Sequence, residues 1–538
     1  MSGNGFFHRR WFLAAALAVL AAGTCLLAES RRGFYDDDEF EHLSAAHEIR
    51  MGLCPYRDFF EHHVPGFWMA LAPFTAGELG KPKPLRLVMV VFAVAGVVAA
   101  GAAFAKGPAS FLAGAVIAGL PVAAAKLVEI RPDVPAFAFA VAGMTFLAAA
   151  AKRERRGVGL AVLGLGLFSV AAAFQMKWLF MMPAPLVLFG IVARRDGRGR
   201  RNAAVGLAVA GIPWLSLLGW LSARGALGDF WRSVVVLNAA WPEHFSMWGT
   251  LRLAFEQNPA FLVLGVLGAA YAAGRNSGES FLRWTPAVWT ANALLLLVVT
   301  PNPYPQAFLP LWAGCAWGLA AGTARFFEEE RLREDSGRAL AAGAMCLLLL
   351  GVAPFFRERL RNAPVPDEAQ ARRLAAIEQY AEGRTLAVLS FIKAHPGHRS
   401  AMQPGWCYEA VVQALGITDL DVRIRRAWRN ADAAVLDYRW RRMVPDAAAW
   451  VRTHSISVSP DAAEVRGHGA VLSAENFSGN RARLDVLRGG NYALRISPPQ
   501  SVTVNGTAFA DGAVIPLAAG AADVSVSGYV REMVFRLR

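Results

Sequence analysis

One loop of this sequence concentrates the side chains that could do chemistry. The stretches 35–42 and 58–65 together hold seven carboxylates and three imidazoles, and they follow the first hydrophobic segment of a very apolar chain. Carboxylates repel one another and lose solvation beside lipid, so a crowd of them at the end of a membrane helix needs a functional reason. The loop therefore predicts a site for a polar substrate, a cation or both.

The composition indicates an integral membrane protein. Of the 538 residues, 55% are hydrophobic and only 18% are charged, which is too apolar for an ordinary soluble chain. Apolar runs that match a hydrocarbon core of roughly 30 Å predict about 11 transmembrane helices. We place them at 11–29, 85–105, 109–128, 134–151, 158–176, 178–193, 203–222, 259–273, 284–300, 304–324 and 338–356.

Basic residues in the short loops predict the orientation. With the amino terminus in the cytoplasm, the arginine-rich loops 152–156 and 194–201 both fall inside, as the positive-inside rule requires. This holds only if the short apolar segment 65–80 lies along the outer interface and does not cross. The outer face then receives the acidic loop, the corner 129–133, the segment 175–177, the loop 222–259, the turn 300–305 and everything after residue 356. We predict a multi-pass protein of the bacterial inner membrane.

Several other classes find no support. The net charge of +14 comes largely from the topology-setting loops, so no nucleic-acid partner is expected. The five cysteines show no CxxC spacing, which implies neither a zinc knuckle nor a disulfide framework. No Walker loop and no strand-GxGxxG-helix signature occurs, so a nucleotide-sugar donor is disfavoured.

The chain changes character after residue 356. Residues 1–356 form the predicted transmembrane catalytic domain, with its first external loop at 30–84. Residues 357–454 are interpreted as an extracytoplasmic α/β connecting region. From about 455 to 538, short runs of β-formers alternate with turns such as Asn505-Gly506. The predicted fold class is an α-helical polytopic membrane protein with a C-terminal extracytoplasmic α/β to β-sandwich-like module.

The first loop resembles that of a known superfamily. The pair Asp38 and Glu39, followed by a helical stretch and the run 55–65, resembles the first external loop of the GT-C glycosyltransferases. Within that superfamily it is most similar to the family 39 and aminoarabinose-transferase-like enzymes of bacteria. The corner 131–133 and the segment 304–311 fit the same pattern, and the resemblance covers roughly the first 320 residues.

The resemblance implies a hexosyl- or pentosyltransferase. Its donor would be a polyprenyl-phosphate-linked sugar held at the membrane lipid, and its acceptor a glycolipid, glycan or protein on the outer face, in an inverting reaction. It implies three catalytic residues, with Asp38 as the general base, Glu39 beside it and Asp133 in a role that supports the reacting residues or a metal ion. The run of three aspartates leaves Asp36 and Asp37 as alternatives to Asp38.

Substrate contacts and a metal follow from the same resemblance. Lys177 and Arg131 are candidates for the donor phosphate, although each is equally well explained as an interfacial anchor. Substrate binding is also assigned to Tyr304, His63 and His244, against the alternatives of an aromatic belt residue or a surface helix. Oxygen and imidazole ligands suit a divalent metal ion, for which the candidates are Glu61 and His62.

Two other functions stay open at this point. A polytopic transporter would have a similar number of spans, but it should carry broken helices or ionisable groups within them. A non-enzymatic envelope assembly protein would not need Asp38 and Asp133 on the same side. The Asp→Asn substitution of both residues separates these alternatives, because only an enzyme would lose sugar transfer and keep its fold.

Overall fold

A computed structural model of the protein describes residues 3–31, 34–76, 81–103, 108–153, 157–195, 198–240, 246–274, 281–300, 304–328, 357, 367–391, 398–401, 412–413 and 416–537. The chain divides into two compact units. The first comprises Met1–Arg50 with His62–Val365, and the second Met51–Glu61 with Pro366–Arg538.

The first unit is helical, as its composition predicts. Ten of the predicted spans coincide with helical segments, and the one expected at 338–356 lies outside the described residues. These segments are α1 (Gly3–Ser30), α4 (Pro82–Ala102), α5 (Pro108–Gly119) with α6 (Pro121–Val128), α7 (Asp133–Ala151), α8 (Val158–Phe174), a 3₁₀ helix Met176–Met181 with α9 (Pro183–Arg194), α10 (Gly199–Ala223), α14 (Pro259–Ala273), α15 (Thr285–Val299) and a 3₁₀ helix Pro305–Phe308 with α16 (Leu309–Glu328).

Length and apolar composition qualify four of the described helices to cross a membrane. They are Pro82–Ala102, Asp133–Ala151, Gly199–Ala223 and Pro305–Phe326, and five apolar helices are shorter. Small residues let neighbouring helices approach closely. A Cβ added to Gly143 of α7 would lie 2.6 Å from the carbonyl oxygen of Gly164 in α8.

Shorter helices of this unit connect the apolar ones. They are α2 (Asp37–Arg50), α3 (Gly66–Leu71) with a 3₁₀ turn Ala72–Phe74, α11 (Leu227–Phe230), a π-helix Trp231–Val236, α12 (Leu237–Ala240) and α13 (Met247–Gln257). The nine helical residues between 66 and 74 are too few to span a bilayer, in keeping with the predicted interfacial segment.

Local sequence explains where α2 begins. The Asp36 N–H donates to Glu39 Oε1 at 3.0 Å, and the Asp38 N–H donates to Asp36 Oδ1 at 3.1 Å. These bonds satisfy backbone donors that a helix start leaves open, and the acidic first turn complements the helix dipole. Ten consecutive residues, Glu39 to Glu48, are buried, so α2 is enclosed on all sides.

In its described residues, the second unit combines two sheets with four α-helices. Its helices are α17 (Glu368–Ala381), α18 (Leu420–Asn430), α19 (Tyr438–Met443) and α20 (Pro445–Thr453). Its strands are β1 (Ala387–Leu389), β2 (Arg399–Ser400), β3 (Ala433–Val435), β4 (Ser455–Ser457), β5 (Val465–Ser473), β6 (Arg481–Val486), β7 (Gly490–Ser497), β8 (Val502–Val504), β9 (Thr507–Phe509), β10 (Val514–Leu517), β11 (Gly520–Val526) and β12 (Glu532–Leu537). The predicted turn Asn505-Gly506 joins β8 to β9, with φ angles of 50° and 82°.

One long strand links the α/β part of this unit to the β-rich part. The larger sheet has the order β10-β7-β12-β5-β3-β1-β2, with β4 beside β5, and the smaller has the order β6-β11-β8-β9. The first residues of β5, 465–467, pair with β3, and 469–473 pair with β12. Alternating buried residues of both sheets, such as Leu484, Leu494, Val524 and Phe535, form a sandwich core.

Candidate functional site

A buried ion pair fixes the start of α2. Glu39 is fully buried, and its Oε2 accepts from Arg86 Nε at 2.8 Å and from the Ile130 N–H at 3.0 Å. Arg86 also donates to the Phe34 carbonyl at 2.8 Å and lies 4.2 Å above the Tyr35 ring. Glu39 therefore ties α2 both to α4 and to the corner before α7, which is a positioning role next to the predicted base.

The carboxylates beside Glu39 meet two cations from that corner. Arg131 forms an ion pair with Asp38 and lies 3.2 Å from Asp36 and 2.6 Å from Glu129. Lys126 Nζ lies 2.8 Å from Glu129 and 3.4 Å from Asp36. Burial raises the pKa of Asp38, but the opposing charges of the cluster, Arg131 first among them, together outweigh burial and hold this pKa below its ordinary value. Asp38 is therefore ionised at neutral pH.

Asp133 lies at the start of α7, as predicted, and is buried. The N-cap position of α7 is Pro132 and Asp133 is the first residue inside the helix, so Asp133 is not the N-cap residue of the alternative explanation. Gln175 Nε2 donates to both of its carboxylate oxygens at 3.3 Å, and Lys177 Nζ lies 3.8 Å away. The turn after α8 thus brings a predicted phosphate-binding lysine to Asp133.

His63 and Arg131 connect the two groups of charges. Arg131 precedes Asp133 by two residues, and both Asp38 and Asp133 stabilise its charged form. His63 in turn is close enough to Lys177, Asp38 and Arg131 for each to act on its pKa. The structure therefore gathers the predicted catalytic aspartates and the predicted phosphate-binding cations into one charged cluster, although they are separated by up to 139 positions in the sequence.

Imidazoles line the same cluster. The rings of His62 and His63 are 4.0 Å apart, and those of His63 and His42 are 5.3 Å apart. Trp68 Nε1 donates to His42 Nδ1 at 3.0 Å, and Asn238 donates to the His62 carbonyl at 2.7 Å. Burial lowers the pKa of both His62 and His63 to about 3, so both rings are neutral at physiological pH.

Neutral imidazoles next to carboxylates form a candidate metal centre. One donor atom from each of Glu41, His62 and His63 lies within 4.8 Å of the others, and His62 Nδ1 is 4.0 Å from Glu41 Oε1. Glu61 directly precedes His62 in the chain and is fully buried. Two neutral nitrogens with carboxylate oxygens fit zinc or a similar divalent ion. Glu41 was not predicted from the sequence, and His63 was assigned to substrate.

These imidazoles predict a pH-dependent stability. The unfolded chain protonates them near pH 6.5, whereas the folded chain does so only near pH 3. We therefore expect full stability above pH 6.5 and a progressive loss as pH falls, by up to about 1.4 kcal/mol per pH unit for each ring. Thermal unfolding in detergent across this range measures it. The double variant His62→Gln/His63→Gln should flatten the profile, and an unchanged slope would contradict the assignment.

The remaining predicted residues are less tied to the cluster. Tyr304 is 36% exposed and precedes the 3₁₀ helix Pro305–Phe308, which packs against α6, so its substrate role stays a prediction. His244 lies outside the described residues. Sequence analysis assigned no role to Arg86, Lys126, Glu129, Gln175 and Glu41. For Arg86 a signal existed, because an ionisable residue within an apolar span is a functional candidate by default.

Comparison with known proteins supports the fold. No protein-family model matches the chain, and no curated protein matches it in sequence. Among solved structures, ArnT from Cupriavidus metallidurans bound to undecaprenyl phosphate matches with a TM-score of 0.58 at 14% identity, over 85% of this chain and 97% of that one. The oligosaccharyltransferase AglB from Archaeoglobus fulgidus, in complex with an inhibitory peptide and a dolichol-phosphate, matches with a TM-score of 0.52 at 11% identity, over 94% and 75%.

These likenesses establish the architecture. The chain is a polytopic helical membrane protein with the GT-C fold and a C-terminal module built on β-sheets. The GT-C resemblance of the first loop is thereby confirmed at the level of fold. The narrower similarity to family 39 stays a prediction.

Proposed function

We propose that the protein is a glycosyltransferase that moves a sugar from a polyprenyl-phosphate donor to an acceptor on the outer, periplasmic face of the bacterial inner membrane, with inversion at the anomeric carbon. The observation that supports it is the charged cluster, in which Asp38, Asp133, Arg131 and Lys177 meet on a GT-C fold. Neighbours of this fold were solved with undecaprenyl phosphate or dolichol-phosphate.

The chemistry is a single displacement. The acceptor oxygen or nitrogen attacks the anomeric carbon, the bond from that carbon to the phosphate oxygen breaks, and polyprenyl phosphate leaves. Asp38 takes the acceptor proton. Arg131 lowers the pKa of Asp38, which makes Asp38 a weak base. Asp38 therefore accepts the proton late, when the attacking nucleophile has already become acidic.

Cations in the cluster suit the departing phosphate. Lys177 is 26% exposed and Arg131 only 5%, so Lys177 presents the more accessible charge. Asp133 and Gln175 position Lys177, and Glu39 positions the neighbouring Asp38. We assign Glu41, His62 and His63 to a divalent metal ion, which would supply further positive charge for the phosphate.

The decisive experiment uses purified full-length protein in detergent. It is incubated with a panel of polyprenyl-phosphate sugars and candidate acceptors, and released polyprenyl phosphate is measured. We expect release with at least one donor, and release that is slower by about 100-fold or more from the same donor with the Asp38→Asn variant. Equal release by both proteins, or substrate transport without bond cleavage in proteoliposomes, would refute glycosyl transfer.

Removing the Lys177 charge should weaken donor binding. The loss of one charge-assisted contact to phosphate is worth about 1.5–3 kcal/mol, so Lys177→Met should raise the donor KM by about 10- to 100-fold. Initial rates at varied donor concentration give this value. Lys81→Met, which removes the same charge from an exposed position before α4, is the matched control and should leave the donor KM unchanged. A change in kcat alone would place Lys177 elsewhere in the reaction.

A further inference from the structure

Helix α18 of the second unit has a strongly divided surface. Leu420, Ile424 and Trp428 follow one another at intervals of four residues and are buried. Val422, Arg426 and Arg429, at intervals of four and three, share the opposite side and are exposed, Val422 by 55%. We call this exposed stripe the arginine stripe. The helix is therefore anchored by its apolar side and presents positive charge with one apolar residue to solvent.

The charge of the stripe is not neutralised locally. The two other arginines of α18 are each paired four residues back, Arg423 with Asp419 at 2.7 Å and Arg425 with Asp421 at 2.8 Å. In the described part of the chain, neither Arg426 nor Arg429 forms an ion pair. The ion pairs of Arg423 and Arg425 stabilise the helix. The guanidinium groups of Arg426 and Arg429 remain accessible to a ligand.

Neighbouring helices carry further exposed arginines. Helices α18 and α19 both pack against α20. Residues 441, 442 and 452 of these helices are exposed arginines, and Tyr438 is 65% exposed. Residues 420–453 contain eight arginines, no lysine and four aspartates. The twofold excess of arginine over aspartate and the lack of lysine differ from a general solubilising surface, in which the two signs are interspersed more evenly.

We propose that the arginine stripe binds the phosphate groups of an anionic phospholipid surface. Arginine pairs with phosphate through two parallel N–H···O bonds, which lysine cannot do. Exposed Val422 and Tyr438 beside the arginines suit the boundary between headgroups and acyl chains. The protein is anchored in a bilayer by its other unit, so that such a surface is always present at high effective concentration. The proposal does not depend on the catalytic role of the first unit.

The test uses the full-length protein held in an uncharged amphipathic polymer, so that no bilayer of its own occupies the stripe. Flotation with vesicles of phosphatidylcholine, with or without phosphatidylglycerol, measures binding. A basic residue near an anionic surface contributes about 1 kcal/mol, so Arg426→Gln/Arg429→Gln should reduce binding to the anionic vesicles by about 30-fold. The matched control is Arg481→Gln/Arg483→Gln, which removes two exposed arginines from β6 in the same unit and should keep wild-type binding.

Three results with vesicles alone would overturn the proposal, and a competition experiment supplies a fourth. They are equal binding to both vesicle types, equal losses in the two double variants, and retention of full binding by Arg426→Gln/Arg429→Gln. Soluble polyphosphate is the competitor that separates a general polyanion site from a lipid surface. Complete displacement of the vesicles by polyphosphate at equal phosphate concentration would assign the stripe to a polyanionic polymer. Since the substituted side chains are exposed, all variants should melt like the wild type.

Discussion

Replacing Asp38 with asparagine is expected to slow the proposed sugar transfer strongly and to leave the protein folded. The amide cannot accept the acceptor proton, and general-base catalysis contributes about 10²- to 10⁴-fold to a rate, so kcat should fall by that factor. The donor KM should change much less, because the phosphate-binding cations stay in place. Steady-state release of polyprenyl phosphate measures both parameters, and a thermal unfolding curve confirms that the fold is kept.

Asp37→Asn is the matched control for this experiment. The substitution removes the same charge from the same first turn of α2. Arg131 pairs with the other two aspartates of the run, Asp36 and Asp38. We expect at least half of the wild-type kcat in this variant. If Asp37→Asn or Asp36→Asn inactivates the enzyme and Asp38→Asn does not, the base has been assigned to the wrong member of the run.

Breaking the buried ion pair between Glu39 and Arg86 will have the largest effect on stability. Both side chains are almost completely buried, so Glu39→Gln leaves a buried guanidinium without its counter-charge. Removing one partner of a buried pair costs about 3–5 kcal/mol. Denaturant unfolding in detergent should show this loss, together with lower activity, because α2 carries Asp38.

Two further variants separate charge from packing in that experiment. Glu39→Leu/Arg86→Leu removes both charges and should recover a large part of the lost stability, as apolar replacements of buried pairs generally do. Glu256→Gln breaks an exposed pair with Arg252 in α13 and should change the unfolding free energy little. A single variant Glu39→Gln as stable as the wild type would show that the pair is dispensable.

The sequence was most informative where a property is local or compositional. Apolar run lengths predicted the helical segments, and the alternation of β-formers predicted strands β7, β8, β10 and β11, because both depend on neighbouring residues. The crowded acidic loop pointed to the site because unexplained charge beside lipid is itself a signal. The GT-C resemblance then correctly indicated the fold.

Contacts between side chains that lie far apart in the chain could not be predicted from the sequence. Nothing near Glu39 in the chain indicates that Arg86, 47 positions away, encloses it. Likewise, the sequence alone does not distinguish a helix cap from a site residue at Asp133. The position of Asp133 inside the helix and its hydrogen bond from Gln175 distinguish the two roles. Glu41 and His63 join His62 because α2 and the turn before α3 fold together, which no local spacing shows.

Strand β5 has a consequence for how this protein can be divided. A cut at residue 454, where the composition changes, would remove the strand that closes the open edge of β3 and would expose unpaired backbone groups of the α/β half. A shortened protein ending there should aggregate. The second unit can therefore be removed or exchanged only as a whole, together with the strand that its two halves share.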